Sequence, residues 1–286
     1  MFNKKLYIFI NNKFKKINKI KLLITSIFSF LIIIYGTAKS SKKKIGIVSC
    51  ENNNNIGNNL VKFAMYTKLK ELNFDPTIIA LTRHKNIYFI KKYMKYKEIK
   101  LSYDELKEKD YDFLVVNSDQ TWVNVTPNYL LDYGYLKFAE HWNIRKFIYG
   151  ASYPLNFWIY RNDFNIKAGN LLKKFSGVSV REINTVSLAE KYLRVKPEFV
   201  LDPTLLIDKK YYLNLIKDYK NNYINFNYIC IYQLDKNDRL NYFIENSSRI
   251  LNFTIHKVDI NKDNYCAYIK LETLIFYLCR RFYLLY

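Results

Sequence analysis

Short apolar runs alternate with longer amphipathic segments along most of the chain. Buried strands are predicted from the length and β-branched content of the runs at residues 45–50, 77–81, 113–116, 145–152, 177–182 and 197–206. Apolar residues recur at helical spacing in residues 60–72, 163–175 and 183–193. Ser102 and Glu105 form a capping box, which predicts a further short helix to residue 109. Strands that alternate with helices predict an α/β fold with a doubly wound parallel sheet.

The same alternation resumes in the last third of the chain, in a shorter form. Residues 228–232 and 253–258 are predicted strands, and residues 239–252 are the predicted helix between them. This pattern is typical of the start of a second Rossmann-like domain. We therefore expect an N-terminal arm (1–43), a first Rossmann-like domain (44–195) and an incomplete second one (196–286).

The tail at residues 265–286 is apolar and aromatic. It is either a packed terminal helix or sequence that replaces the rest of the second domain after a frameshift or an early stop. We favour truncation, because half of a doubly wound domain leaves apolar surface uncovered.

Polar residues follow the predicted strands at the ends where α/β proteins bind ligands. Residues 117–121 place five polar side chains directly after the strand at 113–116. The alternative is local, with Asn117 and Ser118 in a turn and Asp119 as a helix cap. The polar loop at 51–59 precedes the helix at 60–72, and Asn58 or Asn59 is its candidate N-cap. A polar loop that leads into a helix N-terminus can hold an anion. Because this loop lacks a Gly-x-Gly-x-x-Gly fingerprint, dinucleotide binding is not supported.

Charge and cysteine content add little to this picture. The formal net charge is +21, but the lysines are spread along the chain, in keeping with the general Asn, Lys, Ile and Tyr bias of an AT-rich coding sequence. A solvated basic surface is the main interpretation and polyanion binding the minor one, so no specific nucleic acid partner is predicted. The four cysteines show no metal-ligand spacing. We expect a reducing cytoplasm, no metal and no cofactor.

The N-terminal arm combines many lysines with an apolar run at residues 22–35. The run is shorter than the roughly 20 residues that span a bilayer. Two interpretations fit it equally well: an interfacial helix on the anionic inner face of the cell membrane, and a helix buried against the following domain. A spanning helix ranks third. The predicted location is therefore cytoplasmic, with peripheral membrane association as one of its forms.

Residues 112–122 read Asp-Phe-Leu-Val-Val-Asn-Ser-Asp-Gln-Thr-Trp and resemble the Gly-Ser-Asp-Gln-x-Trp signature of the polysaccharide pyruvyl transferase family. Other stretches match that family in its order, and they are residues 45–59, 149–152 (Tyr-Gly-Ala-Ser), 179–182 (Ser-Val-Arg-Glu) and 200–206 (Val-Leu-Asp-Pro-Thr-Leu-Leu). The resemblance covers residues 44 to about 207 and fades by about 235. Asn117 stands where the family usually has Gly, which makes the turn there less permissive.

The resemblance implies transfer of a pyruvyl group from phosphoenolpyruvate to a sugar of a surface polysaccharide, with a glycan or lipid-linked sugar as acceptor. It also implies two Rossmann-like domains that face each other across a cleft. Arg181 suits the donor carboxylate or phosphate, and its alternative role is a salt bridge to Glu182 or Asp202. The sugar-hydroxyl candidates are Asn58, Asp119 and Gln120, against a role in ordering loops. Ser152 completes the predicted substrate-binding set, and no catalytic residue is assigned.

The family's Asp-Ser-Phe-His-Gly motif, whose His belongs to the donor site, has no counterpart in this sequence. Three functions therefore compete. The chain is a pyruvyl transferase, inactive if the donor site is lost; a non-catalytic member that binds a sugar or partner; or a membrane-surface or nucleic-acid binding protein. The last is the weakest, because charge does not explain the ordered motifs.

Overall fold

A computed structural model describes residues 42–49, 56–81, 88–100, 102–118, 120–123, 127–216, 228–231 and 238–257. The chain divides into two compact units, of which the first ends at Leu206 and the second begins at Ile207. The first unit extends beyond residue 195, where the sequence analysis placed the domain boundary.

The first unit is built on a seven-stranded sheet in which all neighbouring strands are parallel. Its strands are β1 (Lys44–Val48), β2 (Asp75–Leu81), β3 (Tyr96–Ile99), β4 (Phe113–Val116), β5 (Arg145–Ala151), β6 (Gly177–Val180) and β7 (Glu198–Phe199). Their order across the sheet is β3-β2-β1-β4-β5-β6-β7. The chain therefore reverses its direction of winding between β1 and β4, and this switch point is where open α/β sheets bind ligands.

Helices connect these strands. They are α1 (Ile56–Glu71), α2 (Tyr88–Tyr93), α3 (Pro127–Gly134), α4 (Asn162–Leu172) and α5 (Ile183–Leu193). Short 3-10 turns lie at Tyr103–Glu105, Glu108–Asp110, Lys137–Ala139 and Pro203–Leu205. The predicted α/β fold with a doubly wound parallel sheet is confirmed.

The two faces of the sheet follow from the alternation of side chains along each strand. Leu114 and Val116 of β4 belong to a buried apolar cluster that includes residues of α3, α4 and α5. Phe113 lies on the opposite face and meets Phe74 edge to face, with ring centroids 6.1 Å apart. Because Phe74 follows α1 closely, α1 covers this second face.

Two local predictions need correction. The helix expected at 60–72 begins at Ile56, so Asn58 and Asn59 lie in its first turn instead of capping it. Both are buried, and tertiary packing of this turn overrides the local preference of Asn for caps. The helix expected at 102–109 is two 3-10 turns, although the Ser102–Glu105 capping box is present.

The second unit contains α6 (Lys209–Ile216), β8 (Tyr228–Ile231), α7 (Asp238–Leu251) and β9 (Thr254–Lys257) among its described residues. β8 and β9 pair in parallel with α7 between them, as the sequence pattern predicts. None of the helices in the described ranges is both long and apolar enough to cross a membrane. Residues 1–41 of the predicted arm, and with them the apolar run at 22–35, lie outside those ranges.

Candidate functional site

The carboxyl ends of the parallel strands bring several predicted polar residues together. The N–H of Asn117 donates to the carbonyl of Val48 at 2.8 Å, which joins the ends of β4 and β1. Arg181 Nη1 lies 3.3 Å from Ser118 Oγ, although the two are far apart in sequence. The polar segments after β4 and β6 therefore meet at one end of the sheet, as predicted. Residues 50–55 and Asp119 lie outside the described residues.

Arg181 is held between two carboxylates. Its Nη1 donates to Asp202 Oδ2 at 2.7 Å, and its Nε donates to Glu182 Oε1 at 3.2 Å. The Arg181 side chain is 10% exposed and that of Asp202 is 8% exposed, so this is a largely buried ion pair. Both acids named as alternative partners in the sequence analysis are thus partners of Arg181.

Other hydrogen bonds fix each carboxylate. Asp202 Oδ1 accepts from the N–H of Thr204 at 3.0 Å and from its Oγ1 at 2.7 Å. Glu182 accepts from Ser152 Oγ at 2.7 Å and from the N–H of Tyr153 at 3.1 Å. A buried charged network whose members all have hydrogen-bond partners is rigid. Removing one member is costly, because it leaves another polar group without its partner.

Gly150 lets the end of β5 enter this network. Its φ of +61° lies in the left-handed region, and a Cβ atom there would lie 3.3 Å from Ser118 Oγ. Ser118 Oγ donates to the Gly150 carbonyl at 2.6 Å, and the Gly150 N–H donates to Ser179 Oγ at 3.0 Å. The register between β5 and β6 shifts between Ile148 and Ala151. We call Ser118, Ser152, Arg181, Glu182, Asp202 and Thr204 the paired cluster.

A second group of polar residues lies at the switch point. Val48, Val116 and Ile148 are register partners on β1, β4 and β5, and the next residues along these segments are Ser49, Asn117 and Tyr149. All three are buried, with exposures of 5%, 0% and 5%. Burial raises the pKa of the Tyr149 hydroxyl, and the Asp202 charge raises it further, so Tyr149 is a neutral phenol at pH 7. We call these three residues the switch-point row.

The predicted site residues have different outcomes. Ser152 and Arg181 come together, because both contact Glu182. Asn58 is buried in the first turn of α1, whereas Gln120 is exposed after β4. The sequence analysis did not select Ser49 or Tyr149. The sequence shows that each of these residues follows an apolar residue of a predicted strand. Only the register between the strands shows that they become neighbours.

Among the described residues, no three His, Cys, Asp or Glu side chains are grouped so that they could hold a metal ion.

A doubly wound parallel α/β sheet whose winding reverses between β1 and β4 defines a Rossmann-like protein. The family model described as polysaccharide pyruvyl transferase matches residues 55–284. The chain therefore belongs to the polysaccharide pyruvyl transferase family, as the motifs predicted. The match continues well past residue 235, so the expected loss of resemblance there is wrong. The matched region includes the strand–helix–strand pattern of β8, α7 and β9, although the sequence lacks the Asp-Ser-Phe-His-Gly motif.

Comparison with solved structures finds similarity to MurG of Acinetobacter baumannii. The sequences are 9% identical, the match covers 78% of this chain and 69% of that chain, and the TM-score is 0.40. Comparison with curated protein sequences finds no match.

Proposed function

We propose that this chain transfers a pyruvyl group from phosphoenolpyruvate to a sugar of a cell-surface polysaccharide. In this reaction two sugar hydroxyls form bonds to the enol carbon and its bond to the phosphate oxygen breaks. One hydroxyl proton goes to the methylene carbon and the other leaves with the phosphate, so that a cyclic ketal forms. The observation that carries the proposal is the family match over residues 55–284. The polar strand ends beside the switch point support the proposal, because open α/β sheets bind their ligands at that position.

Ser152 and Arg181 are proposed to border the substrate. The charge of Arg181 is already opposed by Asp202 and Glu182, so Arg181 orients the strand ends more than it neutralises a donor with three negative charges. Positive charge for the donor must then come from other residues. Asn58, Asp119 and Gln120 stay predictions for the sugar hydroxyls.

We expect phosphoenolpyruvate to bind and turnover to be slow. Removing one oriented donor from a charged transition state typically slows catalysis by about 10²–10³-fold, and here the expected arginine is engaged elsewhere. The alternative proposal is a non-catalytic family member that binds a sugar or a partner. It is favoured by the pairing of Arg181 with Asp202 and Glu182, because that pairing offsets the positive charge that the donor needs.

The test combines calorimetric titration of the full chain with phosphoenolpyruvate and an assay for pyruvate incorporated into an acceptor glycan. Incorporation that requires both substrates supports transfer, whereas binding without incorporation supports the non-catalytic alternative. Both measurements are repeated with Arg181→Ala, and Lys174→Ala is its control for a lost positive charge, because Lys174 is a partly exposed partner of Glu140. A chain that neither binds the donor nor incorporates pyruvate would contradict the proposal.

We also propose that the protein acts in the cytoplasm and associates with the anionic inner face of the cell membrane through its basic arm. The net charge of +21 and the lysines before residue 22 support this proposal. Co-sedimentation with phosphatidylglycerol vesicles should fall when the chain starts at Lys42, while the circular dichroism spectrum of the folded part persists. Equal sedimentation of both chains would exclude the arm as an anchor.

A further inference from the structure

We propose that Asn117, with Ser49 beside it, is a specificity-determining subsite that binds an uncharged hydroxyl group of the sugar acceptor. This inference rests on the proposed function and adds the residues that recognise the acceptor. Tyr149 forms the third member of the same row. The subsite is distinct from the paired cluster, which holds the charged groups.

The first argument is position. Ser49, Asn117 and Tyr149 follow register-matched residues on three adjacent strands. Because side chains alternate along a strand, all three lie on the face that α1 covers. Ser49 and Asn117 flank the point between β1 and β4 where the winding reverses, which is the ligand-binding position of open α/β sheets.

The second argument is the state of the polar atoms. Asn117 is 0% exposed, yet neither Oδ1 nor Nδ2 has a hydrogen-bond partner among the residues that the structure describes. Ser49 Oγ is likewise buried and has no partner within those residues. A buried amide without partners destabilises the free protein, and native structures keep few such groups without a reason. A ligand that supplies the missing partners provides that reason.

The third argument is the chemistry of the row. The Asn117 amide offers two donors and one acceptor, and the Ser49 hydroxyl both donates and accepts. A sugar hydroxyl also donates and accepts, so it can satisfy both residues. The row itself contains no cation, and Asp202 is close enough to act on the titration of Tyr149. A phosphate or carboxylate would face the net negative charge of the adjacent paired cluster, where two carboxylates oppose the one guanidinium of Arg181, so a neutral group fits better.

The fourth argument is residue identity. Asn117 stands where the resembled Gly-Ser-Asp-Gln-x-Trp signature has its Gly, so the amide is a departure from that signature. An added polar side chain without a structural partner is expected to select among acceptors, since a site built to hydrogen-bond a hydroxyl rejects analogues that lack it.

The test uses the full chain and the variant Asn117→Ala. Its matched control is Asn165→Ala, because Asn165 is also buried and its Oδ1 accepts from Trp158 Nε1 at 2.7 Å. Thermal unfolding without ligand is measured for all three proteins. Affinity is measured by saturation-transfer NMR with methyl hexosides of the galacto, gluco and manno series, and by calorimetry with phosphoenolpyruvate.

We expect Asn117→Ala to keep or raise the melting temperature. We expect it to lower the affinity for the preferred hexoside by about tenfold, which is the equivalent of one hydrogen bond. Phosphoenolpyruvate affinity should stay within about twofold, since an uncharged subsite contributes little to binding a trianion. Asn165→Ala should lower the melting temperature, because it leaves the Trp158 N–H without its acceptor.

Two results would overturn the inference and leave the proposed function standing. One is unchanged hexoside affinity in Asn117→Ala when the wild-type chain binds both ligands. The other is a melting temperature that falls as in Asn165→Ala with affinity preserved, which would show a structural role completed by buried water. If the wild-type chain binds neither a hexoside nor phosphoenolpyruvate, both the inference and the proposed function fail.

Discussion

The carboxyl end of the sheet has two halves that treat buried polar residues differently. At the ends of β5, β6 and β7, and at Ser118 after β4, the paired cluster gives every one of its members a hydrogen-bond partner. At the ends of β1 and β4, Ser49 and Asn117 are as deeply buried but have no such partner among the described residues. The difference supports the proposal that Arg181, although charged, is scaffold and that Ser49 and Asn117 contact a ligand.

Arg181 illustrates the point. An arginine after a parallel strand in a transferase family suggests a ligand contact, but its two acidic partners hold it within 3.2 Å on each side. Its energetic role is therefore to keep the buried carboxylate of Asp202 and the partly buried carboxylate of Glu182 paired. If the contacts decide stability, substitutions in the paired half should lower the free energy of unfolding more than substitutions at Ser49 or Asn117.

The largest effect is expected for Arg181→Ala. It leaves Asp202 buried without its cation, which should lower the free energy of unfolding by about 3–5 kcal/mol. Urea denaturation measures this change. The double variant Arg181→Leu/Asp202→Leu should recover much of the loss, because it removes both charges. A single variant that unfolds like the wild type but binds phosphoenolpyruvate weakly would instead make Arg181 a ligand residue.

Ser179→Ala should have the next largest effect. Ser179 Oγ accepts from the Gly150 N–H and donates to the Ile148 carbonyl, both at 3.0 Å. Its removal leaves a buried N–H unpaired, which costs about 1–3 kcal/mol. The same urea experiment measures the loss. A change of less than about 0.5 kcal/mol would mean that water replaces the hydroxyl, and the paired half would be less closed than its contacts indicate.

Gly150→Ala should destabilise the protein by about 1–2 kcal/mol, because a Cβ atom is unfavourable in the left-handed region. The Cβ would also lie 3.3 Å from Ser118 Oγ. Adding Ser118→Ala to this variant relieves the close contact but not the backbone strain. Full recovery in the double variant would therefore show that crowding, and not φ, makes glycine necessary here.

The smallest effect is expected for Ser49→Ala, which is matched in burial to Ser179→Ala. Ser49 is 5% exposed and Ser179 is 7% exposed. Because Ser49 Oγ has no hydrogen-bond partner among the described residues, the free energy of unfolding should change by less than about 0.5 kcal/mol, or rise. A loss as large as that of Ser179→Ala would remove the contrast between the halves.

Local sequence patterns predict the parts of the fold that depend on local residues. The strand Phe113–Val116 and the helix Ile183–Leu193 have their predicted bounds, because a compact apolar run and helical spacing determine them. The sequence analysis missed β3, because Lys97 and Glu98 interrupt its apolar pattern at the outer position of the sheet. The start of α1 was placed too late, since local preference makes Asn58 a cap whereas packing buries it.

The parts of the candidate site that lie in sequence motifs could be predicted, and the parts that depend on strand register could not. The acids next to Arg181 could be named as partners from the motifs, and the structure pairs them. The switch-point row could not be predicted, because Ser49, Asn117 and Tyr149 become neighbours only through the register of three strands. Whether a buried amide has a partner is likewise a property of the packed structure.

The outermost strand β7 has a further consequence for self-association. Glu198–Phe199 is only two residues long, Pro197 precedes it, and Pro203 follows shortly after. Proline lacks the N–H that an added strand needs, so this flank offers little backbone for edge-to-edge pairing. Although Phe199 is 48% exposed there, the brevity of the strand gives an incoming chain few bonds to form. A protein with so many apolar and aromatic residues is thereby protected from aggregation through this side of the sheet.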